Sequence, residues 1–284
     1  MTLNNLYRYI INQLADVVGM DEATTMACML LKHFTSYDKV FICLNPDTKI
    51  DMSIIKKIDM AIDELQNHKP IQYILGETFF CNLPFLVDES VLIPRPETEE
   101  LVQWILENPP QHSTIIDICT GSGCIAVSLA NYIENSQVYA IDISDKALEM
   151  AKENAILNHA NINFSQKDIL SSTFNNDINI QFDIIVSNPP YVRKSEKQYM
   201  HKRVLEHEPS LALFVEDDNP LLFYKKILEF GQKHLIDSGR LYFEINEVFG
   251  KEIINLFLEY GYDDVILRKD IHNKDRMICG TFNN

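Results

Sequence analysis

Thr114-Ile-Ile-Asp-Ile-Cys-Thr-Gly-Ser-Gly123 is the stretch that decides the fold. A strand ends at Ile115-Ile116-Asp117-Ile118-Cys119, and Thr120-Gly121-Ser122-Gly123 leads into a helix. Glycines let the backbone adopt positive φ and come close to a ligand. The helix start offers free N–H groups and the positive end of its dipole. The dinucleotide fingerprint needs G-x-G-x-x-G, whereas here Gly121 and Gly123 are followed by Ala126. On this stretch alone, a tight turn without a ligand competes with a binding loop.

The next strand favours binding. Val138-Tyr-Ala-Ile-Asp142 ends on an acid about 20 positions after the turn, where doubly wound folds hold ribose hydroxyls. A helix cap is the competing role, since Ser144 and Asp145 lie alongside. With no third glycine, a nucleoside such as S-adenosylmethionine fits better than a dinucleotide. A third strand ends Gln166-Lys167-Asp168, again an acid where such folds bind ligands.

Outward from this centre, strand and helix patterns alternate. Strands are expected at 114–119, 138–143, 162–167, 183–187 and 240–245, with helices near 123–133, 145–158, 220–236 and 248–260. Two final strand-like runs, 265–268 and 277–282, flank a short turn at His272-Asn273. The expectation is an α/β fold: a Rossmann-like, doubly wound parallel sheet with a closing antiparallel strand. Upstream, apolar residues recur at helical spacing over 3–14, 23–34 and 54–65, with Asp21 as an N-cap and Pro70 as a stop. That predicts a small helical bundle over 1–70. Residues 71–75 and 85–87 look extended, so 71–93 reads as a β-hairpin linker before a domain at 94–284. Glu97, Glu99 and Glu100 open a helix through Leu106.

Composition narrows the class. Of 284 residues, 46% are hydrophobic and 23% charged, which excludes a disordered or low-complexity chain. Twenty-five basic against 41 acidic residues give −16, which disfavours a non-specific nucleic-acid coat. No apolar run suits a membrane span, and no secretory signal opens the sequence. The six cysteines show no Cys-x-x-Cys pair and no zinc spacing, so reduced thiols in a cytoplasmic protein without a metal are expected.

The fourth strand carries the sharpest motif: Phe182-Asp-Ile-Ile-Val-Ser187 runs into Asn188-Pro189-Pro190-Tyr191. Two prolines fix φ and lack N–H groups, and Asn188 before them is pushed towards an extended shape. The turn therefore presents acceptors, the Asn188 side-chain oxygen and the Pro189 carbonyl, with an aromatic beside them. Such a site suits a planar NH₂ group whose nitrogen is to meet an electrophile. A plain Pro-Pro loop with a core tyrosine is the weaker alternative at this place in the sheet.

Asp117-x-x-Thr-Gly-Ser-Gly123, Asp142 and Asn188-Pro-Pro-Tyr191 together resemble the amino-methyltransferases that use S-adenosylmethionine. The tetrapeptide alone does not separate adenine-N6 enzymes from protein-glutamine enzymes. Pro70-Ile-Gln-Tyr-Ile-Leu-Gly-Glu77, Leu92-Ile-Pro-Arg-Pro-Glu-Thr-Glu99 and Glu208-Pro-Ser-Leu-Ala-Leu213 with Phe223-Tyr224 resemble the HemK family, the peptide chain release factor glutamine methyltransferases. The likeness spans nearly the whole chain and is loose over 1–65. It implies methyl transfer to the amide nitrogen of the glutamine in a Gly-Gly-Gln loop of class I release factors. It also implies that Asp117 helps bind the cofactor and that the loop Cys119, Thr120, Gly121, Ser122 and Gly123 wraps its methionine part. Asp142 would take the ribose, and Asp168 and Ile169 would border the adenine. Asn188, Pro189, Pro190 and Tyr191 would hold the glutamine, with Asn188, Pro189 and Tyr191 catalytic and Asn188 also near the cofactor. The helical domain would help bind the release factor. A ribosomal protein, or adenine in nucleic acid, is the alternative substrate, and a non-catalytic binder that has lost the cofactor is the third reading.

Two features stand apart. Cys119 occupies a place where glycine is usual; a merely small residue suffices there unless positive φ is required. Residues 193–203 carry five basic side chains and one acid, +4 in a chain of −16; the segment either guides a negatively charged partner, an acidic face of a release factor or nucleic acid, or is a solvated charged loop.

Overall fold

Apolar residues three and four apart wind the first part of the chain into five helices. They are α1 (Leu3–Val18), α2 (Met20–Thr35), α3 (Lys39–Leu44), α4 (Met52–Gln66) and α5 (Ile71–Leu75). The structure, a computed structural model, describes residues 1–110, 112–172, 174 and 178–283. Leu3, Leu6, Ile10 and Leu14 of α1 meet Ala27, Leu30 and Leu31 of α2 and Ile55, Ile58, Ile62 and Leu65 of α4 in one core. Thr2, Asp38 and Asp51 cap α1, α3 and α4 by accepting backbone N–H bonds. Asp21, expected as an N-cap, lies instead in the first turn of α2, which starts directly after Gly19 at φ +86°.

Pro70 does not stop α4. That helix ends at Gln66 with Asn67 as its C-cap, and His68 follows in the left-handed region at φ +65°. Residues 71–75, expected extended, form α5 instead. Pro70 precedes its first turn, Ile71 and Tyr73 are buried, and Gly76 closes it in the left-handed conformation.

The hairpin follows as β1 (Glu77–Phe80) and β2 (Leu83–Leu86). Its two-residue turn, Cys81-Asn82, has φ of +48° and +63°, the conformation that matches the twist of paired strands. Then come α6 (Pro96–Leu106), β3 (Thr114–Ile118), α7 (Cys124–Tyr132), β4 (Gln137–Asp142), α8 (Asp145–Leu157), β5 (Ile162–Gln166) and β6 (Phe182–Ser187). A short pair, β7 (Val192–Arg193) with β8 (Phe214–Val215), brackets two small helices, α9 (Lys202–His207) and α10 (Ser210–Leu213). The chain ends with α11 (Leu222–His234), β9 (Leu235–Glu244), α12 (Gly250–Glu259), β10 (Tyr262–Lys269) and β11 (Asp275–Phe282).

Seven strands form the main sheet in the order β10-β11-β9-β6-β3-β4-β5. β9, β6, β3, β4 and β5 are parallel, and β11 enters antiparallel between β9 and β10. Alternation along β3 sends Ile115 to one face and Ile116 and Ile118 to the other. The first face packs on α6, α7 and the hairpin through Leu101, Leu129, Phe80 and Phe85. The second packs on α11 and α12 through Ile227, Leu228 and Phe257. Helices on both faces explain why the central strands β3, β4 and β6 are largely apolar. Among the described residues, no helix is long and apolar enough to cross a membrane.

The chain divides into two compact units. One is Met1–Gly76 with His201–His207; the other is Glu77–Met200 with Glu208–Asn284. In the first, Arg203 bonds Glu22 and the His207 ring lies 3.3 Å from the Asn67 carbonyl.

Candidate active site

Strand β3 has neighbours reached by crossovers in opposite directions, which opens a crevice at the carboxyl ends of β3, β4 and β6. The turn after β3 lies there. Cys119, Gly121 and Gly123 have φ of +63°, +55° and +79°. Position 119 therefore does take the left-handed conformation, and cysteine adopts it against the expectation that a small residue is all that is needed. A left-handed non-glycine residue costs roughly 1–2 kcal/mol. Gly123 has a different reason to be glycine: a Cβ there would meet Ala151 Cβ at 3.0 Å, where α7 packs on α8.

Asp117 holds the turn from beneath. Its Oδ2 accepts from Thr120 Oγ1 at 2.6 Å and from the Ala126 N–H at 3.2 Å. Its Oδ1 is buried without a partner among the described residues. Burial pushes this carboxyl up to about 7, against the two bonds that favour its ionised form. Asp142 braces the same turn: Oδ2 accepts from the Gly121 N–H and Oδ1 from the Ser144 N–H, both at 2.9 Å. Burial raises Asp142, and those N–H groups oppose the rise. The cap of α8 is Ser144, which leaves Asp142 to face the cavity. Asn154, buried in α8, donates to the Ser122 carbonyl at 2.9 Å and also bonds the backbone of Leu86, so the hairpin and the turn share one anchor.

A cavity of about 220 Å³ fills the crevice. Cys119, Thr120, Gly121 and Ser122 form one wall, with Asp142, Asp168, Ile169 and Leu170 beside them. Arg95, Thr98, Asn188 and Pro190 close another side, and Pro209, Leu211, Ala212 and Phe223 a third. Asp117, Gly123, Pro189 and Tyr191 are not part of the lining. Asp168 Oδ1 accepts the Leu170 N–H at 2.8 Å. Arg95 gives both oxygens of the buried Glu208 a bond from one nitrogen, at 2.6 and 2.7 Å, and this pins the Pro209–Ala212 wall to the Ile93–Arg95 wall. Burial raises the Glu208 carboxyl and Arg95 opposes it.

The donor set fits S-adenosylmethionine. Carboxylates at Asp142 and Asp168 offer acceptors to ribose hydroxyls, and Ile143, Ile169 and Leu170 offer apolar contact to a base. An unpartnered carboxyl oxygen lies beneath the turn, Asp142 and Asp168 stand in the lining, and Arg95 is already paired, which suits a cationic nucleoside.

Asn188 leaves β6 with its Nδ2 donating to Thr98 Oγ1 at 3.2 Å. Thr98 donates to Glu244 Oε2 at 2.6 Å, and the Tyr191 hydroxyl donates to Glu244 Oε1 at 2.9 Å. Tyr191 is thus held by its hydroxyl rather than free over the site. Burial and the Glu244 charge hold that phenol well above its ordinary value. Asn246 donates to the Tyr191 carbonyl at 3.3 Å and caps the turn that follows, so asparagine at this position braces the motif. Thr98, Glu244 and Asn154 were not singled out from sequence. Glu244 had a usable signal: like Asp142 and Asp168, it is an acid at or just beyond the carboxyl end of a parallel strand.

The basic segment is largely neutralised in place. Arg193 pairs with Glu196, Lys194 with Glu216 and Arg203 with Glu22, while Lys197 lies 4.2 Å from the Phe214 ring centre.

Comparison with known proteins shows the family. The methyltransferase small domain family matches residues 96–211, and the PrmC N-terminal domain family matches residues 5–76. The release factor glutamine methyltransferase of Flavobacterium psychrophilum is 48% identical over 99% of this chain and 100% of its own length. That of Bacteroides thetaiotaomicron is 39% identical over 97% and 99%. A crystal structure of a methyltransferase from Pyrococcus furiosus shares the fold at 19% identity and a TM-score of 0.52, covering 72% of this chain and 91% of that one. The chain is an S-adenosylmethionine-dependent methyltransferase, and it belongs to the release factor glutamine methyltransferase family.

Proposed function

We propose that this chain methylates the side-chain amide nitrogen of the glutamine in the Gly-Gly-Gln loop of class I peptide chain release factors, as a cytoplasmic enzyme of translation termination. The observation that carries the reading is the placement of Asn188 on the wall of the cavity that fits the methyl donor, with its Nδ2 turned to Thr98. Its relatives are named for the same substrate class.

When bound, S-adenosylmethionine supplies an electrophilic methyl group on a sulfonium. Asp142 would hold the ribose, Asp168 and Ile169 the adenine, and the turn Cys119–Gly123, backed by Asp117, the methionine part. Asn188 Oδ1 and the Pro189 carbonyl would accept the two N–H bonds of the glutamine NH₂. An amide nitrogen is a poor nucleophile because its lone pair is delocalised. Two fixed acceptors favour its pyramidal form and strengthen as positive charge grows on nitrogen, so catalysis rests on positioning and electrostatics. No base is needed before attack, since the methylated nitrogen becomes acidic and loses its proton readily. The prolines keep both acceptors rigid, and Tyr191, tied to Glu244, fixes the end of the turn. The helical unit formed by α1 to α5 would dock the release factor.

The test offers labelled S-adenosylmethionine to the enzyme together with a release factor, the same factor with its loop glutamine changed to alanine, a ribosomal protein and DNA. Label on the unaltered factor alone is expected; label on DNA or ribosomal protein alone would refute the reading. Asn188→Ala in the same assay should lose turnover while calorimetry shows much smaller loss of cofactor affinity.

A further inference from the structure

A carboxamide can sit in a site two ways, and only one serves the reading above. If Asn188 presents Oδ1 to the cavity, it accepts from an incoming NH₂. If it presents Nδ2, two donors face each other and the substrate is repelled. Something in the protein must choose.

We propose that Thr98 and Glu244 are positioning residues that lock the Asn188 carboxamide with Nδ2 inward and Oδ1 towards the substrate, and so make the site selective for an NH₂ group. This rests on the reading of Asn188 as the amide-holding residue.

The choice follows from counting protons. Glu244 is 1% exposed, and both its oxygens accept hydroxyl bonds, from Thr98 and Tyr191. An ionised carboxylate donates nothing, so the single hydroxyl proton of Thr98 is committed to it. Thr98 Oγ1 then has only lone pairs left for Asn188, and only Nδ2 can answer them. The reversed carboxamide would set oxygen against oxygen with no proton between. Thr98 is 2% exposed, so bulk water does not relieve that clash. No described residue donates to Asn188 Oδ1, which leaves it for a ligand.

Burial raises the Glu244 carboxyl above its ordinary value, with a smaller push from the Glu97 charge. The hydroxyls of Thr98 and Tyr191 oppose that rise and favour the ionised form, as does Arg276, itself held by Asp270 and the Ile245 carbonyl. The Tyr224 hydroxyl goes to the Glu244 backbone carbonyl at 3.3 Å and leaves the carboxylate alone. A protonated Glu244 could donate to Thr98, free the threonine proton for Asn188 Oδ1, and reverse the carboxamide. Activity should therefore fall on the acid side as Glu244 takes up a proton.

Four variants decide the matter, with kcat and KM for the release factor, cofactor affinity by calorimetry and thermal midpoint measured for each. Thr98→Val should lower kcat roughly 10- to 100-fold with little change in cofactor affinity, and Thr98→Ser should restore most of it. Glu244→Gln, which keeps the shape, should lower kcat at neutral pH and abolish the acid limb of the wild-type profile. Asn188→Ala gives the reference for the underlying reading. If Asn188→Ala is inactive while Thr98→Val and Glu244→Gln keep wild-type kcat and pH profile, the positioning role is wrong and the reading stands. If Thr98→Ser is no better than Thr98→Val, the hydroxyl is not the operative group. If Asn188→Ala turns over normally, reading and inference fall together.

Discussion

Asp117 is the residue on which the turn depends, and its chemistry has a measurable consequence. Its place near the end of β3 is legible in the sequence, because the strand and turn around it follow simple rules. Its full burial with one unpartnered oxygen was not, since burial comes from α7 folding over it. A carboxyl raised to about 7 in the fold has an ordinary value near 4 when unfolded. Below about 4 both states hold the proton. Between about 4 and 7 only the folded state does, so this group's contribution to stability falls as pH rises and is lost above about 7. Asp117→Asn keeps an acceptor for Thr120 and Ala126 but cannot ionise. Its thermal midpoint at pH 8 should exceed that of the ligand-free wild type, and the difference should vanish near pH 4. An equal dependence on pH in both proteins would contradict the raised value. Cys119 teaches the converse lesson: its identity suggested tolerance of a small side chain, but only the backbone shows that the position is left-handed.

At the scale of elements, the five parallel strands and their helices were legible because apolar strands and amphipathic helices alternate with turn residues between them. Short elements escaped. Residues 71–75 are as apolar as a strand, and the helix there is decided by Pro70, Gly76 and burial on neighbouring helices. β9 begins at Leu235, earlier than expected, because Asp237-Ser-Gly239 looks like a turn yet is carried through an irregular register against β6. Over 193–203 the sequence shows the sum of charge, and the structure adds the acids that Arg193, Lys194 and Arg203 pair with. The Arg95–Glu208 pair shows the same limit, as 113 positions separate its members. Removing one partner of a buried pair typically costs about 3–5 kcal/mol. Because Arg95 is 33% exposed, we expect Arg95→Met to cost near the lower end, and to weaken cofactor binding by loosening the 209–212 wall. Adding Glu208→Gln should recover part of the stability. Denaturant unfolding and calorimetry check both; unchanged stability in Arg95→Met would dismiss the pair as an anchor.

For the whole molecule, the net charge of −16 disfavours a general nucleic-acid coat. Residues 1–95 carry −4 and residues 96–284 carry −12, so most of the net charge belongs to the part of the chain that holds the site. The change in hydrophobic period marks where helices give way to alternating strands and helices. The return of 201–207 to the helical unit was not, since nothing local marks it. The central claim is a single methyl group on a single glutamine. Mass spectrometry of release factor digested after incubation with enzyme and S-adenosylmethionine tests it most directly. The account predicts one added methyl on the glutamine of the Gly-Gly-Gln peptide, absent with Asn188→Ala enzyme; a methyl on any other residue, or none on that peptide, would contradict it.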